Sequence, residues 1–332
     1  METQWKSARQ FSKARQTMSS VYEFSDQSGI KIDTLTDEQA GLRLQVNRHG
    51  AEPISIARRG PDGKWVGFLY RDGDTSIPAE GWKNHATLMG FFIHRLKDEH
   101  STYRGKPIRG GTHSFLRHKD FEPPAVDAAA GSLLYRMGPG QYEAEEYPFK
   151  VQMNLTYALV MSGENPELSV TFEFENLEPE LSVHVGFGLH PGFAVQSLAE
   201  AQVILPRGTY IRHLAPGNFL SGETVKIEHP GGPMPFDKTD LPGSFLLELE
   251  DMPEAIFAVE DPGGHRRTQL DYQEAPYVTL WSDGHDFVCV EPCWGLPDHQ
   301  QQRPFEEKEG LQEIGPGKLL TRSFSMRPEV VA

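Results

Sequence analysis

Apolar and polar residues alternate with a period of two along much of the chain. Leu42, Leu44 and Val46 alternate with Arg43, Gln45 and Asn47, and Leu168, Val170, Phe172 and Phe174 with Ser169, Thr171, Glu173 and Glu175. Val151, Met153, Leu155, Tyr157 and Leu159 do the same against Gln152, Asn154, Thr156 and Ala158. Successive strand side chains point to opposite faces, so the pattern predicts half-buried antiparallel strands. Shorter apolar runs over residues 201–205, 245–249, 255–259, 277–281, 287–291 and 319–326 predict further strands. Pro61-Asp62-Gly63, Asp72-Gly73, Pro262-Gly263-Gly264 and Pro316-Gly317 supply turns. No stretch sustains helical periodicity, nothing repeats at a fixed length and no linker divides the chain. These features predict an all-β protein, one large antiparallel β-sandwich domain over residues 31–332. Residues 1–30, with Lys6, Arg9, Lys13 and Arg15 and no apolar stretch behind them, read as a polar N-terminal extension.

Composition narrows the partners. The 332 residues carry 47 acids against 32 bases, a formal charge of -15, which repels nucleic acid and an anionic membrane surface over most of the protein. With 38% hydrophobic residues the chain can build a sizeable core, but no run approaches eighteen apolar residues, so no membrane partner is expected. Cys289 and Cys293 are too few for a disulfide framework and, four apart on a strand, share a face without pairing. Together with the missing signal-peptide pattern, this predicts a cytoplasmic protein.

Several stretches hold candidate chemistry. Gly186-Phe187-Gly188-Leu189-His190-Pro191 begins like a dinucleotide fingerprint, but its third glycine is missing and no βαβ pattern surrounds it. His94, His100, His113 and His118 suggest metal ligands, yet residues 113 and 118, five apart, would face opposite sides of a strand, so no metal is expected. Asn154-Leu155-Thr156 matches a glycosylation acceptor but reads as part of a strand. In Asp286-Phe287-Val288-Cys289-Val290-Glu291-Pro292-Cys293-Trp294 an apolar strand carries one carboxylate and meets a proline. That predicts Glu291 at a strand end, where burial could tune it.

This last segment resembles the glutamate strand of the aldose 1-epimerase (galactose mutarotase-like) family. Other segments resemble the family in the same order: His94-Arg95-Leu96-Lys97-Asp98, His113-Ser114-Phe115-Leu116-Arg117, Tyr147-Pro148-Phe149, Gly186 to Phe193 and Ala275 to Ser282. The resemblance spans about residues 40–326 and implies a β-supersandwich that binds a monosaccharide and interconverts its anomers with no metal or organic cofactor. Opening a pyranose needs one proton delivered to the ring oxygen and another removed from the anomeric hydroxyl. The resemblance implies His190 as the acid, Glu291 as the base, and Arg95, His113 and Arg117 as sugar ligands. Asp237 reads as a turn aspartate within possible reach of a hydroxyl. Ser114 stands where the family has glycine, Gly192 where an aromatic is common, and Cys293 separates Pro292 from Trp294. These departures leave the sugar open. A hexose-6-phosphate mutarotase and a non-catalytic carbohydrate-binding protein are the alternatives, and a glycoside hydrolase or lyase would need a second carboxylate.

Overall fold

The computed structural model describes residues 15–17, 20–234 and 243–331. In the strand Val151–Ser162 the side chains of Val151, Met153, Leu155, Tyr157 and Leu159 are buried and those between them half-buried. The strand pairs antiparallel with Asn165–Asn176 from Val151 opposite Asn176 to Ser162 opposite Asn165. Among the described residues these two strands belong to a ten-stranded sheet. Val21–Gln27, Ile30–Asp37, Leu42–Asn47, Glu52–Arg59 and Trp65–Gly67 form a smaller five-stranded sheet.

An eight-stranded sheet carries the functional region. Four of its strands matter here: β1 (Ala86–Phe91), β2 (Val183–Ala194), β3 (Tyr277–Trp281) and β4 (Phe287–Trp294). They lie in the order β1, β2, β4, β3, each antiparallel to its neighbour. One face of this layer is core. Phe187 of β2 stacks on Trp294 of β4 at 4.9 Å, and Phe172 and Phe174 of the large sheet meet Phe187 at 5.0 and 4.6 Å. Aromatic pairs at these separations add to the stabilisation from apolar area removed from water. Because strand side chains alternate, the residues between them on β2 and β4 are turned to the other face. Those residues are Gly188, His190 and Gly192 on β2, and Cys289, Glu291 and Cys293 on β4.

The antiparallel all-β architecture and the strands predicted from alternation are present. Three local readings change. Residues 21–27, read as part of the polar extension, form an edge strand paired with Ile30–Asp37. Glu291 is not at a strand end: β4 continues through Pro292 to Trp294, and Glu291 pairs with Thr279 of β3. A proline removes one ladder donor but keeps an extended φ, so the strand can pass through it. β1 and β2 were not legible as strands, because β1 is buried on both faces and β2 is interrupted by Gly186, Gly188, Pro191 and Gly192. Asn154 lies within a strand, as read, and both cysteines are buried and free. Asp237, Lys6, Arg9 and Lys13 fall outside the described residues. No helix among the described residues is long and apolar enough to cross a membrane.

Candidate active site

The register of β2 on β4 brings the two candidate proton-transfer groups together. Gly188 lies opposite Cys293 and Gly192 opposite Cys289, and that common register sets His190 opposite Glu291. His190 Nε2 is 3.3 Å from Glu291 Oε1, with side-chain exposures of 9% and 1%. The contact is close enough for an ion pair but is not aligned as a hydrogen bond, since neither carboxylate oxygen of Glu291 nor Nδ1 of His190 has a hydrogen-bond partner. Burial pushes the Glu291 carboxyl well above the usual carboxylate range. Burial, reinforced by Arg117, pushes the His190 imidazole down to about 3. The 3.3 Å approach favours the charged pair and desolvation favours two neutral groups, and at such burial desolvation is the larger effect on each group taken alone.

Around this pair lies a cleft of about 300 Å³ lined by Trp82, His94, Arg95, His113, Arg117 and Trp281, among others. That volume is at the small end of ligand pockets and suits a monosaccharide-sized molecule. His94 and His113 come from two loops that clasp each other. The His113 amide donates to the His94 carbonyl at 2.8 Å, and the His94 amide donates to His113 Nδ1 at 3.1 Å. An Nδ1 that accepts leaves the proton of a neutral imidazole on Nε2, so His113 is a donor at its free end. Burial holds His113 well below the ordinary imidazole range, which keeps it in this neutral form. The clasp has a backbone cost: His94, His113 and Ser114 take φ values of 57°, 65° and 62°. That region is strained for side-chain-bearing residues, and glycine enters it freely, which gives a physical reason for glycine as the expected neighbour of His113 where this chain has Ser114.

The five candidate site residues Arg95, His113, Arg117, His190 and Glu291 all line this one cleft. Arg95 is exposed there, and Arg117 is half-buried. Asn84, with its amide oxygen turned toward the donors, accepts from Arg117 Nη2 at 2.8 Å and from Trp82 Nε1 at 3.3 Å. The spacing argument against a histidine cluster used strand geometry, whereas His113 sits in a loop, and tertiary folding places it 5.7 Å from His94 and 5.4 Å from His190, ring to ring. His100 and His118 are exposed. Ligand atoms of His190, Cys289 and Glu291 lie within 4.8 Å of one another.

Sequence reading missed two supports. Trp82, from the loop before β1, stacks on His190 at 4.9 Å and on Phe287 at 5.2 Å. A lone tryptophan between Gly81 and Lys83 carries no periodic signal. The second support is Lys308, fully buried, 3.1 Å from Asp298. Asp298 also accepts from the Lys97 amide at 2.8 Å and donates its own amide to the Arg95 carbonyl at 3.1 Å, which ties down the loop that carries Arg95. Burial pushes Lys308 down to about 8, and Asp298 acts in the opposite direction. Asp298→Asn keeps the shape and leaves a buried ammonium without its counter-charge. Chemical denaturation is expected to show a loss of about 3–5 kcal/mol, and a loss below 1 kcal/mol would mean that the pair does not anchor this loop.

Comparison with known proteins identifies the family and the fold. The sequence model of the family described as Aldose 1-epimerase matches residues 33–325. No curated protein matches the chain. Among solved structures, the chain is similar to a galactose mutarotase related enzyme from Lactobacillus acidophilus. That match has a TM-score of 0.76 at 22% identity and covers 94% of this chain and 98% of the other. It is also similar to a galactose mutarotase-like protein from Lactobacillus casei, with a TM-score of 0.73 at 20% identity and coverages of 93% and 100%. Galactose 1-epimerase from Lactobacillus acidophilus matches with a TM-score of 0.69 at 11% identity over 95% and 100%. At these identities the structural likeness shows the fold, and the family match covers most of the chain. The chain therefore belongs to the aldose 1-epimerase family.

Proposed function

We propose that this protein interconverts the anomers of a free aldose, with Glu291 as base and His190 as acid. The observation that carries the reading is the buried pair at 3.3 Å, which faces a cleft of monosaccharide size. Glu291 takes the proton of the anomeric hydroxyl as His190 gives one to the ring oxygen, and the bond between C1 and the ring oxygen breaks. Rotation about C1–C2 presents the other face of the aldehyde, and closure returns both protons. The pair holds one proton throughout. It rests on His190 before opening and on Glu291 after it, so both halves of the cycle use the same two groups without exchange with solvent. The Nε2–H of His113 and the guanidinium groups of Arg95 and Arg117 are placed to hold sugar oxygens.

The alternatives differ in what they would need. A protein that only bound sugar would have no use for a buried carboxylate with two unpartnered oxygens, which costs stability. A hydrolase would need a second carboxylate, and Glu291 is the sole one among the described residues lining the cleft. The test is anomer exchange, followed by NMR, across a panel of aldoses and their 6-phosphates. Acceleration of at least one is expected, and none across the panel would overturn the reading.

A second reading, a sugar bearing an anionic group, is favoured by one observation. Arg95 reaches into the cleft without an acidic partner among the described residues. A phosphate held by a guanidinium gains charge-assisted bonds that a hydroxyl does not. Against it, a net charge of -15 repels anions at a distance. For a neutral substrate, Arg95→Ala is expected to change kcat/KM for an aldose and for its 6-phosphate by similar factors. A loss more than tenfold larger for the phosphate, about 1.4 kcal/mol, would favour the anionic sugar instead.

A further inference from the structure

We infer that Trp82 is a positioning residue that sets where the proton of the His190–Glu291 pair rests, its indole face stabilising the imidazolium. The inference depends on the reading of these two groups as acid and base. The Trp82 ring lies over His190 with centroids 4.9 Å apart and planes 28° apart. A ring face carries negative quadrupolar potential and attracts a cation placed over it.

The seat of this ring is built. On β2 the face that carries His190 has no side chain at Gly192, and a Cβ there would lie 2.5 Å from Trp82 Cζ3 and 3.2 Å from Phe287 Cδ2. The absence of an aromatic at position 192 thus makes room for one supplied by a distant loop. The Trp82 amide donates to Asp283 Oδ2 at 2.7 Å, and its Nε1 faces the oxygen of Asn84. Trp281 closes the far side, edge-on to His190 at 5.3 Å.

The charged and titratable side chains facing His190 can each be assigned a direction. Arg117, half-buried, opposes the imidazolium by its charge. His113, His94 and Cys289 are held neutral by burial. Thr87, opposite His190 on β1, is uncharged. Glu291 favours the imidazolium when ionised, but its own burial draws the proton toward the carboxyl. With those effects opposed, the indole face tips the balance. Without it, the proton sits on Glu291 and the site loses both its charged acid and its charged base.

The test replaces Trp82 alone with tryptophans bearing one to four fluorines, which weaken the ring face with little change in shape. Nitrogen-15 NMR shifts of His190 at neutral pH read the ratio of imidazolium to neutral imidazole. That ratio is expected to fall stepwise, by about 3- to 30-fold over the series, with kcat/KM falling in parallel. Gly192→Ala, which displaces the ring, is expected to act in the same direction. A His190 ratio that stays flat across the fluorinated series would overturn the inference. The NMR readout needs no turnover, so it separates failure of this inference from failure of the mutarotase reading.

Discussion

Glu291→Gln is expected to lower kcat by about 10²–10⁴-fold while the melting temperature stays level or rises. The two effects have one cause. Glu291 is 1% exposed on its side chain, and neither oxygen has a hydrogen-bond partner. A carboxyl group in that position is disfavoured in its charged form, which is why burial raises its pKa. Above that raised value the folded protein must hold a buried charge, so the group contributes stability at low pH and loses it as pH rises through the folded pKa. An amide of the same shape removes this penalty together with the proton acceptor. Thermal unfolding at pH 6 and pH 9 measures the stability effect, and the gain of the variant is expected to be larger at pH 9. Turnover within a few-fold of wild type would show that Glu291 is not the base, and a large fall in melting temperature would show that it is a structural carboxylate.

His190→Asn is expected to lower kcat by a similar factor and also to reverse the sign of the pH dependence. In the wild type the working form is the pair with one proton. Adding a second gives the buried pair a net positive charge, which burial and Arg117 both oppose, so the acid limb falls below the pH range of ordinary histidines. Removing the last proton leaves the buried pair with a net negative charge, which the burial that raises the carboxyl also opposes, so kcat/KM is expected to fall on the alkaline side. In the asparagine variant Glu291 remains as a lone base that works only when deprotonated. Its residual kcat/KM is expected to rise with pH over the same interval. The measurement is kcat/KM by anomer exchange from pH 5 to 10 for both proteins. An unchanged alkaline limb in the variant would mean that His190 does not share the proton.

The period-two alternation of apolar residues was enough to predict the architecture, because a strand with one wet face must repeat every second residue. Val151–Ser162 and Asn165–Asn176 obey that rule without interruption. Arg95, His113, Arg117, His190 and Glu291 were nominated by the resemblance to the aldose 1-epimerase family, which several short motifs in the same order carry and which local pattern alone does not supply. Sequence was weakest where the site itself breaks local rules. Pro191 and Pro292 lie inside paired central strands, and β2 carries three glycines. These positions look unlike strand, so Glu291 was read as terminal. Local patterns describe one element against solvent or core and hold no record of which segments meet. Only the tertiary structure could bring Trp82, His94, His113, His190 and Glu291, spread over more than 200 residues, to one cleft. It also decided the electrostatics. Whether a carboxyl is solvated, paired or stranded depends on what surrounds it in space, and it was folding that left Glu291 dry, unpartnered and 3.3 Å from the imidazole of His190.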